Sequence, residues 1–206
     1  MSLADFLNDL TGKDDALAEA AAQSLARLPE EGQLAALAAL RALLISGEDD
    51  QRWWAVRALA ELPLTQTQSL LLQALNDPDP SVRQCAALGL RLQIERTPGW
   101  NPTAETTDSL LPVLLEGLND ADPLAARLAA DTLTTIGEPA VPQLLEFLDR
   151  GNQAGRLLIV RSLAEIGDQR AIPALLAALE EDSLLMEYWA NEGLEKMGLG
   201  MTYFFP

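Results

Sequence analysis

Apolar residues recur every three or four positions along most of this chain, which is the spacing of one face of an α-helix. Leu110, Val113, Leu114 and Leu118 form one such face. Short polar turns rich in Asp, Asn, Gly and Pro separate the amphipathic segments, as NDPDP does at residues 76–80. The pattern predicts an all-α protein made of short helices joined by tight turns.

One of these helical patterns occurs six times. Its copies occupy residues 16–29, 51–63, 81–93, 124–137, 154–167 and 185–198. Each copy carries a leucine at the same place, which we call the key leucine. The key leucines are Leu25, Leu59, Leu90, Leu133, Leu163 and Leu194, at spacings of 34, 31, 43, 30 and 31 residues. Every copy but the third continues with an apolar residue and then a Pro or Gly, whereas the third has Gln93 and no clear stop.

A second amphipathic segment precedes five of the six copies. These segments occupy residues 33–45, 67–75, 109–118, 141–148 and 172–179. Each repeat is therefore predicted to be a helical hairpin. A single hairpin of about 30 residues cannot bury its apolar face, but stacked hairpins bury it against one another. The sequence predicts an α-solenoid of about six stacked hairpins.

The repeat is clearest in the segments DPDPSVRQCAALGL (77–90) and GDQRAIPALLAALEEDS (167–183). They resemble the HEAT repeat in its short bacterial form, the phycobilisome-lyase HEAT-like repeat, and the resemblance covers residues 14–198. The ending YWANEGLEKMGLGMTYFFP (188–206) is similar to HEAT proteins of cyanobacteria. The resemblance implies a single right-handed HEAT-like α-solenoid domain over residues 1–206.

Three segments lie outside the repeat pattern. Residues 1–13 are expected to cap the first hairpin, and residues 97–107 account for the long spacing as an inserted loop. Trp100 in that loop either folds back onto the solenoid or awaits a partner. The apolar tail at residues 199–206 is expected to cover the open edge of the last hairpin, or else to dock onto another protein.

The resemblance implies that the second helix of each hairpin lines a concave surface. Spacings of four place two positions of each such helix on one face, which we call the recognition strip. The strip consists of Trp53, Arg57, Gln84, Leu88, Arg127, Asp131, Leu157, Arg161, Tyr188 and Glu192. Together with Trp100 these are the predicted partner-binding residues. The aromatic rings would anchor a partner, and the arginines either pair with its acids or balance neighbouring carboxylates of the chain itself.

Other conspicuous side chains are interpreted as structural. Arg52, Arg83 and Arg156 lie seven positions before a key leucine, where the resemblance implies that an arginine joins neighbouring repeats through an aspartate of the turn. Cys85 falls between the two columns of the strip and is interpreted as a small core residue. No basic residue or second cysteine accompanies it to suggest a reactive thiol.

The charge of the chain narrows the choice of partner. It carries 14 basic and 31 acidic side chains, a formal net charge of −17, which repels nucleic acid and anionic lipid. That charge suits either a basic protein surface or a role in solubility. Residues 34–45 form the most apolar stretch but are short for a bilayer span and include Arg41, so no membrane insertion is predicted. A single cysteine and an N-terminus without a signal pattern favour the cytoplasm.

The composition also bears on catalysis. The chain has no histidine, which excludes Ser-His-Asp and Cys-His catalysis and histidine zinc sites. It lacks a glycine-rich phosphate loop and a CxxC pair. A carboxylate metal site or acid–base pair stays open, although the acidic runs fall at helix ends, where carboxylates are ordinarily solvated. We therefore predict no catalytic residue, no metal ligand and no cofactor.

Two functional hypotheses follow from the resemblance. The first is a non-catalytic scaffold or assembly factor whose strip holds another protein, such as a phycobiliprotein or a helical segment, during phycobilisome assembly or turnover. The alternative is a bilin lyase, or one subunit of a paired lyase, which attaches a tetrapyrrole to a phycobiliprotein cysteine or removes it. The acidity of the chain argues against DNA binding of the kind found in some HEAT-like proteins. Its single cysteine argues against delivery of iron–sulfur clusters, because one cysteine cannot hold a cluster within a single chain.

Overall fold

The computed structural model describes residues 2–181 and 183–199. Within these residues there are twelve α-helices, three short 3-10 helices and no β-strand. The α-helices are α1 (Leu3–Leu10), α2 (Asp15–Ser24), α3 (Glu30–Ser46), α4 (Asp49–Leu59), α5 (Leu64–Ala74), α6 (Pro80–Glu95), α7 (Ala104–Gly117), α8 (Pro123–Ile136), α9 (Val141–Phe147), α10 (Gln153–Ile166), α11 (Ile172–Leu179) and α12 (Leu184–Lys196). The prediction of an all-α chain is confirmed.

Consecutive helices pack in pairs, from α1 with α2 to α11 with α12, and these pairs are the six predicted hairpins. The chain divides into two compact units, Met1–Trp100 and Asn101–Pro206, and each unit holds three hairpins. In the first unit α2 packs on α4, and α4 packs on α6. In the second unit α8 packs on α10, and α10 packs on α12. The second helices therefore form one layer in each unit.

The key leucines lie at the centre of this packing. All six are buried, and none is more than 2% exposed. Burial of a leucine side chain stabilises a fold by roughly 1.5–3 kcal/mol relative to leaving it in water. The leucine repeat therefore marks the positions where each hairpin buries its apolar face.

A column of small residues runs beside the key leucines. The residues one position earlier are Ser24, Ala58, Gly89, Thr132, Ser162 and Gly193. A Cβ added to Gly89 in α6 would lie 3.0 Å from the Cβ of Ala60, which follows α4. A Cβ added to Gly193 in α12 would lie 2.8 Å from the Cα of Ala164 in α10. Small side chains at this position thus let neighbouring second helices approach closely in both units.

The Asp-Pro pairs of the turns begin two of the second helices. The Asp79 Oδ1 accepts the backbone N–H of Ser81 at 2.8 Å, and the Asp122 Oδ1 accepts that of Ala125 at 2.7 Å. In both cases proline occupies the first helical position, where no N–H is needed. The Ser81 hydroxyl also donates to the Asp79 carboxyl and lowers its pKa. These caps explain why the turns at 76–80 and 119–123 direct the chain into its next helix.

Gln93 explains why the third copy departs from the repeat. The helix α6 continues to Glu95, so Gln93 lies inside it and is buried. Its Nε2 donates to the carbonyl of Leu59, the last residue of α4, at 3.0 Å, and to that of Leu62, just after this helix, at 2.7 Å. It also lies 3.0 Å from the Thr67 hydroxyl. The Leu59 carbonyl also accepts the backbone N–H of Leu62, so the Leu62 carbonyl is the one that depends on the polar side chain of Gln93.

Replacing Gln93 with leucine is expected to lower the free energy of unfolding by about 2 kcal/mol, because the buried Leu62 carbonyl loses the donor that Gln93 supplies. Urea unfolding followed by circular dichroism measures this change. Gln73→Leu, on the exposed side of α5, is the matched control and should change the stability by less than about 0.5 kcal/mol. Equal small effects of both substitutions would show that the buried bonds of Gln93 contribute little.

The segments outside the repeat differ partly from expectation. The predicted loop over residues 97–107 is too long, because the Thr103 hydroxyl accepts the N–H of Thr106 and starts α7 at Ala104. At the N-terminus, α1 packs on α2, α3 and α4, buries Phe6 and Leu10, and forms the first helix of the first hairpin; the cap expected over residues 1–13 stays a prediction. The predicted tail over residues 199–206 lies outside the described residues, except for Leu199.

No helix among the described residues is both long enough and apolar enough to cross a membrane.

Candidate functional site

The recognition strip lies on the second helices of both units. Trp53 and Arg57 belong to α4, and Gln84 and Leu88 belong to α6. The six remaining members stand on α8, α10 and α12, namely Arg127, Asp131, Leu157, Arg161, Tyr188 and Glu192. Every residue of the strip is half-buried or exposed. Trp100, in the loop before α7, is half-buried. A role of these residues in binding a partner stays a prediction.

Arg57 joins neighbouring second helices in the first unit. Its guanidinium forms ion pairs with Glu19 of α2 and, at 2.6 Å, with Glu61, which follows α4. Glu61 also reaches Arg96 at the end of α6, at 3.4 Å. Arg57 therefore joins the first hairpin of this unit to the second, and Glu61 extends the network of ion pairs to Arg96 of the third.

Arg161 has the same role in the second unit. Its Nη2 lies 2.9 Å from Asp131 Oδ1 of α8, and its Nε lies 2.7 Å from Glu165 Oε1 of α10. The guanidinium carbon also lies 5.5 Å from the centroid of the Trp189 ring of α12, which is a cation–π distance. The strip residues Asp131 and Arg161, which are 30 positions apart, are thus brought together.

Two of the three strip arginines, Arg57 and Arg161, balance carboxylates of the chain itself. This is one of the two alternatives that the sequence left open for them. An acidic group of a partner would have to displace Asp131 from Arg161, or Glu19 from Arg57, and both arginines are only about one fifth exposed. Their geometry suits them to hold the strip in shape.

The arginines seven positions before a key leucine are structural, as the resemblance implies. Arg52 forms a bidentate pair with Asp77, at 2.7 and 2.8 Å, and this hydrogen bonding raises the pKa of the guanidinium. Arg83 donates to the backbone carbonyls of Asp77 and Pro78 at 2.8 and 3.0 Å. Arg156 forms an ion pair with Glu181. The bonds of Arg52 and Arg156 join their helices to the turn of the next hairpin, whereas those of Arg83 reach the turn of its own hairpin.

Each unit carries one pair of aromatic rings on its second helices. Trp53 and Trp54 meet edge to face with ring centroids 4.8 Å apart, and Tyr188 and Trp189 do so at 5.1 Å. The two pairs occupy equivalent positions of the repeat. Tyr188 is 53% exposed, whereas both Trp residues of the first pair are half-buried. Each of the two predicted aromatic anchors, Trp53 and Tyr188, therefore packs against a second aromatic side chain, Trp54 and Trp189 respectively.

Cys85 is a poor nucleophile in this fold. It is half-buried on α6, and burial raises the pKa of its thiol from 9.0 to about 12. This value is the net result of burial, of the Arg57 guanidinium, which lowers the pKa, and of Glu19, which raises it. Because the thiolate is the reactive form, Cys85 holds almost none of it near neutral pH.

The described part of the chain contains no cluster of three or more Cys, Asp or Glu residues placed to hold a metal ion. The carboxylate metal site that the sequence left open therefore has no such cluster within residues 2–181 and 183–199. The side chains of the strip instead offer aromatic faces and paired charges. Such groups hold and orient a bound molecule.

The ion pair between Arg161 and Asp131 is expected to stabilise the second unit. A double-mutant cycle with Arg161→Gln and Asp131→Asn should give a coupling of about 1 kcal/mol, because the two side chains are only 17% and 16% exposed. The pair of Arg150 and Glu146 is the control, since these side chains are 66% and 68% exposed and should couple by less than about 0.5 kcal/mol. Urea unfolding of the single and double variants gives both values. Similar couplings for the two pairs would remove the structural role assigned to Arg161.

Comparison with curated proteins gives relatives whose names refer to bilin attachment or to phycobilisome maturation. The chain is 34% identical over 119 residues to a phycocyanobilin lyase subunit beta of Pseudanabaena tenuis, covering 58% of this chain and 38% of the relative. It is 38% identical over 96 residues to a phycobilisome maturation protein of Synechococcus elongatus, covering 46% of each chain. The matched region thus spans less than half the length of these curated relatives.

These relatives correct the leading functional hypothesis. The sequence favoured a non-catalytic scaffold or assembly factor, and that hypothesis is wrong, because similarity to a phycocyanobilin lyase subunit favours the lyase alternative. The hypothesis gave too much weight to the missing histidines. Their absence excludes imidazole-dependent chemistry, but it does not exclude a lyase that uses other groups.

The fold comparison agrees with the repeat pattern. A designed armadillo repeat protein superposes with a TM-score of 0.50 at 19% identity, covering 95% of this chain and all of that one. This likeness shows a helical repeat fold and nothing about function. A family model described as HEAT repeats matches residues 37–110 and 111–195, which together are most of the chain. The key leucines, the stacked hairpins and this match lead to one conclusion: the chain belongs to the HEAT-repeat family.

Proposed function

We propose that this chain is a subunit of a bilin lyase that acts on a phycobiliprotein. The observation that carries the proposal is the 34% identity to a phycocyanobilin lyase subunit beta over 119 residues. That relative is named as one subunit, so we propose that this chain also works with a second one. Its place of action is proposed to be the cytoplasm, which the single cysteine favours.

The chemistry of the described residues supports separate roles for this chain, which binds the reactants, and for the phycobiliprotein, which supplies the reacting thiol. A lyase of this kind joins a bilin to a cysteine thiol of the phycobiliprotein. Cys85 is unsuited to take the bilin itself, because burial raises the pKa of its thiol to about 12. The reacting thiol therefore belongs to the phycobiliprotein, and this chain contributes by holding and orienting the reactants.

We place the phycobiliprotein, or one of its helices, on the recognition strip. Trp53 and Tyr188 supply partly exposed rings, and large aromatic side chains carry much of the energy at protein interfaces. Arg57 in the first unit and Arg161 in the second are held by carboxylates on adjacent helices, and each keeps the strip residues of its own unit in register. Rigid positioning of this kind raises the rate of a bond-forming step because the reactants meet in one geometry.

A transfer assay tests the proposal. The purified chain is mixed with phycocyanobilin and an apo-phycobiliprotein, and an extract of cells that lack this chain supplies the second subunit. We expect a shift of the bilin absorbance and bilin that stays on the phycobiliprotein after denaturation. An unchanged spectrum together with no covalently bound bilin would contradict the proposal.

Variants of the strip give the assay a matched control. Tyr188→Ala should lower the rate of transfer by about tenfold, because truncation of an aromatic anchor commonly costs more than 1 kcal/mol of binding. Leu34→Ala, at an apolar position of α3 that is 60% exposed and off the strip, should leave the rate unchanged. Equal rates of bilin transfer for both variants would show that Tyr188 does not contact the phycobiliprotein.

A further inference from the structure

A cleft opens in the first unit where α2 and α4 begin side by side. It has a volume of 730 Å³, which lies within the range of roughly 300–1,000 Å³ found for ligand sites. The turn between α1 and α2 forms one wall through Lys13, and the first turns of α4 form the other through Trp53 and Trp54. Only Trp53 among these residues belongs to the recognition strip.

The two indole rings give this cleft an aromatic wall. They stand nearly perpendicular, at 89°, and neither is fully buried. The face of a tryptophan ring carries partial negative charge and attracts a cation within about 6 Å. The wall therefore favours a positively charged group over an anion or a neutral polar group.

The rim of the cleft is acidic. Asp15, Glu48 and Asp50 line it and are exposed, whereas Lys13 is the one cation among the lining residues. Within the described residues, neither Asp15 nor Asp50 forms an ion pair with a Lys or Arg of the chain. The positive ends of α2 and α4 offset part of this charge, but the lining keeps an excess of two carboxylates. A positively charged occupant is complementary to both the rim and the wall.

We infer that the cleft between Lys13 and the Trp53–Trp54 pair binds an arginine-bearing segment of a partner protein. A guanidinium stacks on an indole face and pairs with carboxylates at the same time, which suits it to this combination better than the compact, strongly hydrated ammonium of lysine. The net charge of −17 draws such a segment toward the chain. The inference goes beyond the proposed function, because it assigns a chemical class of partner segment to a cleft that shares only Trp53 with the recognition strip.

The inference is tested with a fluorescein-labelled Gly-Arg-Gly-Arg-Gly peptide and the full chain, by fluorescence anisotropy at low and at physiological salt. We expect saturable binding that weakens with salt, and no binding of the matching glutamate peptide. Trp53→Ala should weaken binding by about tenfold, and Trp53→Phe by less, since it keeps an aromatic face. Asp50→Asn, which keeps the shape of the side chain, should weaken binding by about threefold.

Trp189→Ala is the matched control, because Trp189 belongs to the equivalent ring pair of the second unit. It should leave the affinity for the arginine peptide unchanged. Equal affinity across all variants would mean that the peptide responds only to the overall charge, and it would overturn the inference. Binding of phycocyanobilin that depends on Trp53, without binding of the arginine peptide, would overturn it as well. Neither result of the peptide experiment changes the outcome expected in the bilin transfer assay. The inference about the cleft can therefore fail while the proposed lyase function holds, and the reverse is also possible.

Discussion

At about pH 8, Cys85 of the folded chain is expected to react with a disulfide reagent about a thousand times more slowly than Cys85 of the unfolded chain. Burial raises the pKa of this thiol from 9.0 to about 12, and each unit lowers the thiolate fraction about tenfold. The same shift makes the fold less stable as the pH rises from 9.0 toward 12, because the unfolded chain releases the proton first. Stopped-flow absorbance with Ellman's reagent, with and without guanidinium, measures the ratio of rates.

A cysteine placed on the surface provides the control for this measurement. In a Cys85→Ala background, Leu34→Cys puts a thiol at a position where the native side chain is 60% exposed, and it should react at similar rates in the folded and unfolded states. If native Cys85 reacted as fast as this surface thiol, it would be an available nucleophile. The chain could then accept a bilin itself, and the separate roles proposed above would be wrong.

Gly193→Ala is expected to lower the free energy of unfolding of the second unit by about 3 kcal/mol. An added Cβ would lie 2.8 Å from both the Cα and the Cβ of Ala164 and 2.9 Å from Leu175, so α12 would have to move away from α10. Overpacking of a closely packed core costs about 1–3 kcal/mol, and contact with backbone atoms places this case at the upper end. Urea unfolding measures the loss, and hydrogen exchange should show lower protection in α10 and α12 but not in the first unit.

Gly32→Ala separates this packing effect from the general effect of glycine in a helix. An added Cβ at Gly32, in α3, would approach no atom closer than 3.4 Å, so the substitution should be neutral or stabilise the chain by up to about 1 kcal/mol. If Gly193→Ala behaved like Gly32→Ala, the second helices would not depend on the column of small residues.

The sequence was sufficient to predict the hairpins and their core. The period of the key leucines follows from a physical requirement, since each hairpin needs the same buried contact with its neighbours. All six leucines are buried as predicted. The small residue beside each one could also have been found from the aligned copies. The aligned copies show that this position never carries a large side chain, although its residue type varies from copy to copy.

The ion pairs of the strip were harder to predict. Arg57 pairs with Glu19, which is 38 positions earlier, and this contact depends on how one hairpin is rotated against the next. Periodicity gives the face of a helix but not the register between two packed helices. Gln93 was visible as an exception, yet its role depends on the carbonyls of Leu59 and Leu62, whose positions only the structure supplies.

Function could not be obtained from the repeat alone. HEAT-like hairpins bury the same leucines whatever they bind, so the core carries no information on the substrate. The residues that would carry it are the half-buried and exposed ones, such as Trp53 and Tyr188, and those positions are free to vary between repeats. The proposed function rests instead on the likeness to a lyase subunit.

The most direct test of the proposed lyase function is to measure the bilin occupancy of each phycobiliprotein cysteine by mass spectrometry, in cells with and without this chain. If the chain is a lyase subunit, at least one cysteine should lose its bilin in cells that lack it and recover it when the chain is restored. Full occupancy of every cysteine without the chain would contradict the proposal.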